Sequence, residues 1–149
     1  MGSIEIMKAD MTHLEAVVNL SRLESKWLGW SPRGVYKEAI AHGHVIVAVK
    51  DGKYVVGFKE YGGTTKTMWT SYKTAVLPSE RGQGIGKRMM DMLIAEAAEH
   101  DAGVRMKIIE GNPMIPHYQH MGFRIVGIEP SKQTNVLIME RNKDESGSN

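Results

Sequence analysis

The period with which apolar residues recur changes repeatedly along the chain, and each change marks an element. Ile4-Glu5-Ile6-Met7 alternates as a short strand does. Asp10 and Thr12 bring N-cap chemistry to an apolar row of Leu14, Val17, Val18, Leu20 and Leu23. Arg22 interrupts that row, which still predicts an amphipathic helix over residues 12–25. Lys26-Trp27-Leu28-Gly29-Trp30 breaks the period and reads as a loop carrying two large aromatics. Ser31-Pro32, an N-cap followed by proline at the first helical position, opens a second helix ending near His42-Gly43.

Apolar runs at 45–49 and 54–58 then flank Asp51-Gly52, a strong hairpin signal. Gly62-Gly63-Thr64-Thr65 makes the next turn, and residues 68–77, rich in Thr, Tyr, Trp and Val, predict a long strand stopped by Pro78. From Gly84 to His100 the period becomes helical, with Met89, Met90, Leu93, Ile94 and Ala97 on one face and Arg88, Asp91 and Glu99 on the other. A strand over 104–109, a short helix from Pro116 to Gly122, and strands over 123–128 and 134–139 complete the series. The predicted order is β-α-α-β-β-β-α-β-α-β-β, an α/β domain over residues 1–141 followed by a polar tail, 142–149. Hairpins and helical crossovers together require a mixed sheet.

Composition narrows the function classes. The chain has 149 residues, 42% of them hydrophobic and 24% charged, which suits one globular domain. Its longest apolar stretch, residues 45–49, falls far short of the ~18 residues of a membrane span. No basic segment followed by an apolar one opens the sequence, so no secretory signal is expected and the cytoplasm is the expected compartment. The absence of cysteine excludes disulfides, thiolate metal sites and a cysteine nucleophile. A net charge of +2 without a basic run argues against nucleic acid.

The most informative segment is Leu77-Pro78-Ser79-Glu80-Arg81-Gly82-Gln83-Gly84-Ile85-Gly86-Lys87, between a predicted strand and a predicted helix. Glycines there let backbone N–H groups approach an anion, and the helix N-terminus adds a positive dipole. A Rossmann fingerprint is excluded, because the third glycine after Gly82 and Gly84 would fall at Lys87, and after Gly84 and Gly86 at Met89. A P-loop is excluded as well, since Arg81 and Arg88 stand where it needs Gly and Ser or Thr.

Arg81-x-x-Gly84-x-Gly86 resembles the R/Q-x-x-G-x-G/A pyrophosphate loop of the GNAT superfamily of N-acetyltransferases. Ala75-Val76-Leu77-Pro78 before it, Tyr118-x-x-x-Gly122-Phe123 after it, and the opening Ile4-Glu5-Ile6-Met7-Lys8-Ala9-Asp10 extend the resemblance over residues 3–141. It implies a mixed, mostly antiparallel sheet flanked by helices. It also implies that acetyl-CoA, as cosubstrate, lays its pyrophosphate on the amides of Arg81, Gly82, Gln83, Gly84, Ile85, Gly86 and Lys87. The pantetheine arm would then run along the backbone at Val76 and Leu77, entering where the fourth and fifth strands splay apart.

The same resemblance puts Tyr118 in the place of the general acid that protonates the departing thiolate, a task suited to a phenol of pKa about 10. A structural tyrosine is the bland alternative. Asn112 lies six residues before Tyr118, where the family often has an Asn seven before, and Pro113 and Pro116 mark a remodelled connection. Some relatives carry a base on the fourth strand, but residues 66–79 contain no carboxylate. Glu60, Glu110 and Glu24 are the substitutes, each more ordinary as a solvated charge, and a water relay through Thr70, Ser71 or Tyr72 is an equal alternative. Trp27 and Trp30, with Leu28, Arg33 and Tyr36, fall where relatives build an acceptor wall, or else they plug the sheet's end.

His42-x-His44 and His117-x-x-His120 lack a third ligand, so no metal is expected, and Met89, Met90 and Met92 fit helix packing. The leading function is transfer of an acetyl group to a small-molecule or protein amine by direct attack. The runner-up is a non-catalytic acyl-CoA-sensing module of the same fold. No membrane partner is expected. Because many relatives dimerise, a homodimer is an expected assembly.

Overall fold

The computed structural model describes residues 2–145, with Trp27 described through its backbone alone. Residues 146–149 of the expected tail lie outside the described residues. The elements are β1 (Ile4–Lys8), α1 (Leu14–Leu23), α2 (Ser25–Leu28), α3 (Arg33–Ala41), β2 (Val45–Lys50), β3 (Tyr54–Gly62), β4 (Met68–Val76), α4 (Ile85–Glu99), β5 (Gly103–Ile109), α5 (Ile115–His120), β6 (Arg124–Glu129) and β7 (Val136–Arg141). Single 3₁₀ turns at Met11–His13 and Pro78–Glu80 precede α1 and α4. The seven strands form one sheet in the order β1-β2-β3-β4-β5-β7-β6, mostly antiparallel, with β4 and β5 parallel. Among the described residues no helix is long and apolar enough to cross a membrane.

By its internal contacts the chain divides into two compact units, one reaching to Gly62 and including Tyr72–Leu93, the other holding Gly63–Ser71 and the chain from Ile94 onward. In the first, Asp10 starts the helical region by accepting the Thr12 N–H at 2.8 Å, and His13 Nδ1 accepts the Asp10 N–H at 3.0 Å. Leu14, Val17, Val18 and Leu20 of α1 and Tyr36 and Ile40 of α3 pack on Val45, Val47 and Val49 of β2, Phe58 of β3 and Ala75 of β4. Residues of alternate parity turn to the other face of the sheet. The hairpin forms as its sequence dictates, with Asp51 and Gly52 both at positive φ, 56° and 67°.

In the second unit, β5 pairs with β4 from Met68↔Gly103 to Ser71↔Met106, where this ladder ends, and with β7 from Val104↔Arg141 to Ile109↔Val136. Met106, Ile108, Leu137 and Met139 are buried on one face. The alternate residues carry the exposed ion pairs Arg105–Glu140 and Lys107–Glu129.

Two expectations need correction. The helix expected over 12–25 breaks at Glu24 (φ −102°, ψ 14°), and residues 26–28 of the expected loop join Ser25 in the short helix α2. The break coincides with the turn of Glu24 inward to an arginine, described below. Pro32, extended at φ −67° and ψ 157°, caps α3 in place of Ser31. The Ser31 hydroxyl is engaged elsewhere, 2.5 Å from Lys73 Nζ.

Candidate active site

Strand β4 ends at Val76, and Pro78 turns the chain into the segment that leads to α4. Gly82 and Gly84 stand at φ +84° and +76°, a region strained for any residue with a Cβ. A Cβ built on Gly82, Gly84 or Gly86 would meet nothing within 4 Å, so this side of the turn is open. The first-turn amides of α4, at Ile85, Gly86 and Lys87, have no acceptor within the helix and lie at its positive end. The turn is braced from behind by Glu80, which sequence reasoning passed over. Its buried carboxylate accepts from Lys50 Nζ at 3.0 Å and from Gln83 Nε2 at 3.2 Å. These hydrogen bonds, that from Lys50 foremost, hold the Glu80 carboxyl below the usual carboxylate range. The Lys87 ammonium lies 2.8 Å from Asp91, as an exposed pair.

Arg81 does not turn toward the open side. Its Nη2 is 2.6 Å from Glu24 Oε1 and its Nε donates to the Val76 carbonyl at 3.1 Å. Glu24 is 8% exposed, so the expectation of a solvated charge there is corrected, and a buried carboxylate of this kind needs its partner. Leu77 spends both main-chain groups on the fold: its N–H donates to Val56 at 2.8 Å and its carbonyl accepts from Glu80 at 2.8 Å. Strand alternation then leaves the N–H of Val76 directed away from β3.

On the sheet face that carries α1 and α3, Glu60 sits opposite Val45 and in phase with Phe58. It is half-buried. Burial raises its carboxyl above the ordinary range, and the charge of Lys73 works against that rise. Lys73 itself lies 3.3 Å from the Tyr36 hydroxyl, as well as bonding to Ser31. Nothing in the sequence marked Lys73, and Ser31 was marked only as a helix cap, because the part each takes here depends on these contacts. Trp30 is 68% exposed, with the Arg22 guanidinium 4.7 Å from its ring centroid. The side chain of Trp27 lies outside the described residues.

In the second unit, Tyr118 is half-buried on α5, edge-on to Phe123 with ring centroids 5.9 Å apart and 5.6 Å from His117. Burial pushes its phenol above the ordinary pKa. Among the described residues its hydroxyl has no hydrogen-bond partner. Asn112 Oδ1 accepts the Met114 N–H at 2.8 Å, so this side chain shapes the turn into α5. Ser71 is buried, whereas Tyr72 in the first unit is exposed. The His42 and His44 rings stack at 5.8 Å, and His42 Nδ1 bonds the Glu38 carbonyl at 2.8 Å. Among the described residues no group of three acidic or histidine side chains is placed to hold a metal.

A family model described as an acetyltransferase (GNAT) domain matches residues 41–125. Among curated proteins no sequence matches the chain significantly. Solved structures share the fold. The ribosomal-protein-S18-alanine N-acetyltransferase from Escherichia coli is 19% identical with a TM-score of 0.77, over 99% of this chain and 98% of that one. Arabidopsis thaliana Naa50, in complex with the bisubstrate analogue CoA-Ac-MVNAL, is 16% identical with a TM-score of 0.77, over 94% and 99%. The PaiA N-acetyltransferase from Thermoplasma acidophilum, in complex with coenzyme A, is 18% identical with a TM-score of 0.70, over 94% and 99%.

Proposed function

The chain belongs to the GNAT acetyltransferase family, and from that premise we propose that it moves an acetyl group from acetyl-CoA to a primary amine by direct attack. The observation that carries the reading is the open turn at the head of α4. Two glycines at positive φ and three positions with free space beside them leave room for a diphosphate on the amides of Gly82–Lys87. Gln83 and Lys87 contribute main chain, since their side chains are engaged by Glu80 and Asp91, whereas Arg81 stands outside the amide run, its N–H given to the Pro78 carbonyl and its side chain to Glu24. The N–H of Val76 is the group on this strand end that serves a peptide-like arm, and Leu77 takes the structural part its hydrogen bonds define.

Bound acetyl-CoA supplies an activated thioester, so the chain needs no nucleophile of its own. Its residues manage two protons. Glu60 takes a proton from the acceptor's ammonium, through water, and so frees the amine whose lone pair attacks the thioester; its half-buried position raises its pKa, which suits a base working nearer neutrality. Tyr118 gives its phenolic proton to the departing sulfur and is restored by the proton that the new amide nitrogen sheds, and its raised pKa keeps the phenol protonated throughout the neutral range. The wall bearing Trp30 and Lys73 meets the acceptor, with the buried Tyr36 behind Lys73.

Calorimetry with CoA, on the parent and on Gly84→Asp, tests the binding half. Aspartate adds a Cβ and a negative charge where the phosphates belong, at a φ that disfavours it, and should weaken binding at least tenfold, about 1.4 kcal/mol. Equal binding by a folded Gly84→Asp protein refutes the assignment. Release of free thiol from acetyl-CoA across a panel of primary amines tests the transfer half. Tight binding without release for any amine selects a sensing module instead.

A further inference from the structure

We propose that Arg81 is a positioning residue for the acceptor: through Glu24 it anchors residues 24–31 and thereby couples the acyl-CoA loop to the wall that meets the amine. The inference rests on the function proposed above and adds to it a route by which one ligand influences the other. Glu24 is the non-helical residue between α1 and α2, at the N-cap position of the second helix, and its side chain turns to Arg81 and makes no capping hydrogen bond. It is buried, and its Oε1 lies 2.6 Å from Arg81 Nη2. The same guanidinium holds the Val76 carbonyl at 3.1 Å, at the strand end where the arm of the cosubstrate is assigned.

The far end of the segment is fastened as well. Ser31 Oγ lies 2.5 Å from Lys73 Nζ on β4, and the Ser31 carbonyl accepts from Arg22 at 2.7 Å. Between the two anchors, Gly29 turns at φ +75° and Trp30 stands exposed on the Arg22 guanidinium. A strap held at both ends, each time on β4 or on the turn after it, takes its position from those holds together with Leu28, which packs against the core between them. Were Arg81 to swing out and bind phosphate, it would strand a buried carboxylate, which is strongly unfavourable. The amides of the turn therefore receive the anion while Arg81 faces backwards. Ordering the turn around a bound diphosphate holds Arg81, Arg81 holds Glu24, and the strap is tightened for the second ligand. By linkage the influence is reciprocal.

The full chain is compared as parent, Arg81→Gln, Glu24→Gln and the double variant, by calorimetry with CoA and by hydrogen–deuterium exchange with and without it. Loss of a buried charge-assisted contact should speed exchange in residues 24–31 about tenfold in each single variant, with the double no faster than either. CoA affinity should change by less than about threefold. Saturating CoA should slow the strap in the parent by roughly fivefold, the lower end of ordinary coupling, and should lose that effect in the variants. Exchange in β2 reports that each variant is folded. Arg81→Lys, which keeps the charge but not the fork, should show intermediate strap exchange and serves if Arg81→Gln does not fold. Affinity falling tenfold or more with unchanged strap exchange makes Arg81 a phosphate ligand and overturns the proposal. Equal slowing of the strap by CoA in parent and variants overturns it too. A parent that binds no CoA refutes the proposed function and the coupling together, while ligand-free exchange still decides whether Arg81 anchors the strap.

Discussion

Lys59 offers the largest stability effect that this structure allows one to work out. Its side chain is 1% exposed on β3, and its Nζ lies 2.5 Å from Thr74 Oγ1. Burial pushes its pKa down from 10.5 to about 7. Below pH 7 the ammonium is charged in folded and unfolded chains alike, and the fold bears the full desolvation penalty. Between pH 7 and 10.5 the folded protein releases a proton that the unfolded chain retains, so stability rises with pH through that window. Above 10.5 both states are neutral and the penalty is gone. A shift from 10.5 to about 7, at 1.36 kcal/mol per pH unit, amounts to about 5 kcal/mol. That is comparable to the whole stability of a marginal domain. Lys59→Met keeps an unbranched chain of similar length and removes the charge. Urea unfolding of both proteins should therefore show the variant more stable by about 5 kcal/mol at pH 6 and by about 1 kcal/mol at pH 10, less the lost hydrogen bond. Other titrating groups cancel in the difference. A gap that is the same at both pH values, or a variant less stable at pH 6, refutes the burial argument.

Two further predictions concern the proposed chemistry. Tyr118→Phe should lower kcat by roughly 10²–10⁴ while leaving the calorimetric affinity for CoA within about twofold; equal loss in both makes Tyr118 a packing residue. In the parent, kcat/KM should level off once Glu60 is ionised, at a pH above the ordinary carboxylate range because burial raises its carboxyl and well below the amine's own pKa. In Glu60→Gln it should climb instead toward the amine's own pKa, near 10.4 for a lysine; identical profiles hand the proton to water held by Thr70, Ser71 or Tyr72.

What a sequence discloses is what neighbouring residues decide among themselves. Apolar runs at 45–49 and 54–58, with Asp51-Gly52 between them, specify a hairpin by local conformational cost alone, and the hairpin is there. The glycines of the turn before α4 were legible for the same reason, since positive φ belongs to glycine wherever the chain leads. Helix 12–25 was misjudged at its end because the period of Leu20 and Leu23 carries no sign of the contact that breaks it. The partner of Glu24 is Arg81, 57 residues further on, and only the folded sheet brings them together. The reading of Glu24 as a solvated charge failed in the same way, while Glu110 is exposed as that reading expects. An isolated glutamate is properly taken for a solvated charge, yet Glu24, Glu60 and Glu80 are all drawn inward, two of them buried and the third half-buried. Each faces a cation from a distant element: Arg81, Lys73 and Lys50. A motif can thus announce where an anion is to be received, because that depends on amides and glycines adjacent in the chain. The proposed proton acceptor and the proposed anchor of the acceptor wall depend on pairs that are distant in sequence. Arg81 belongs to both classes, legible as a motif residue through its neighbours and pointing to Glu24 only in the fold. For that reason the motif names its position without naming what it does there.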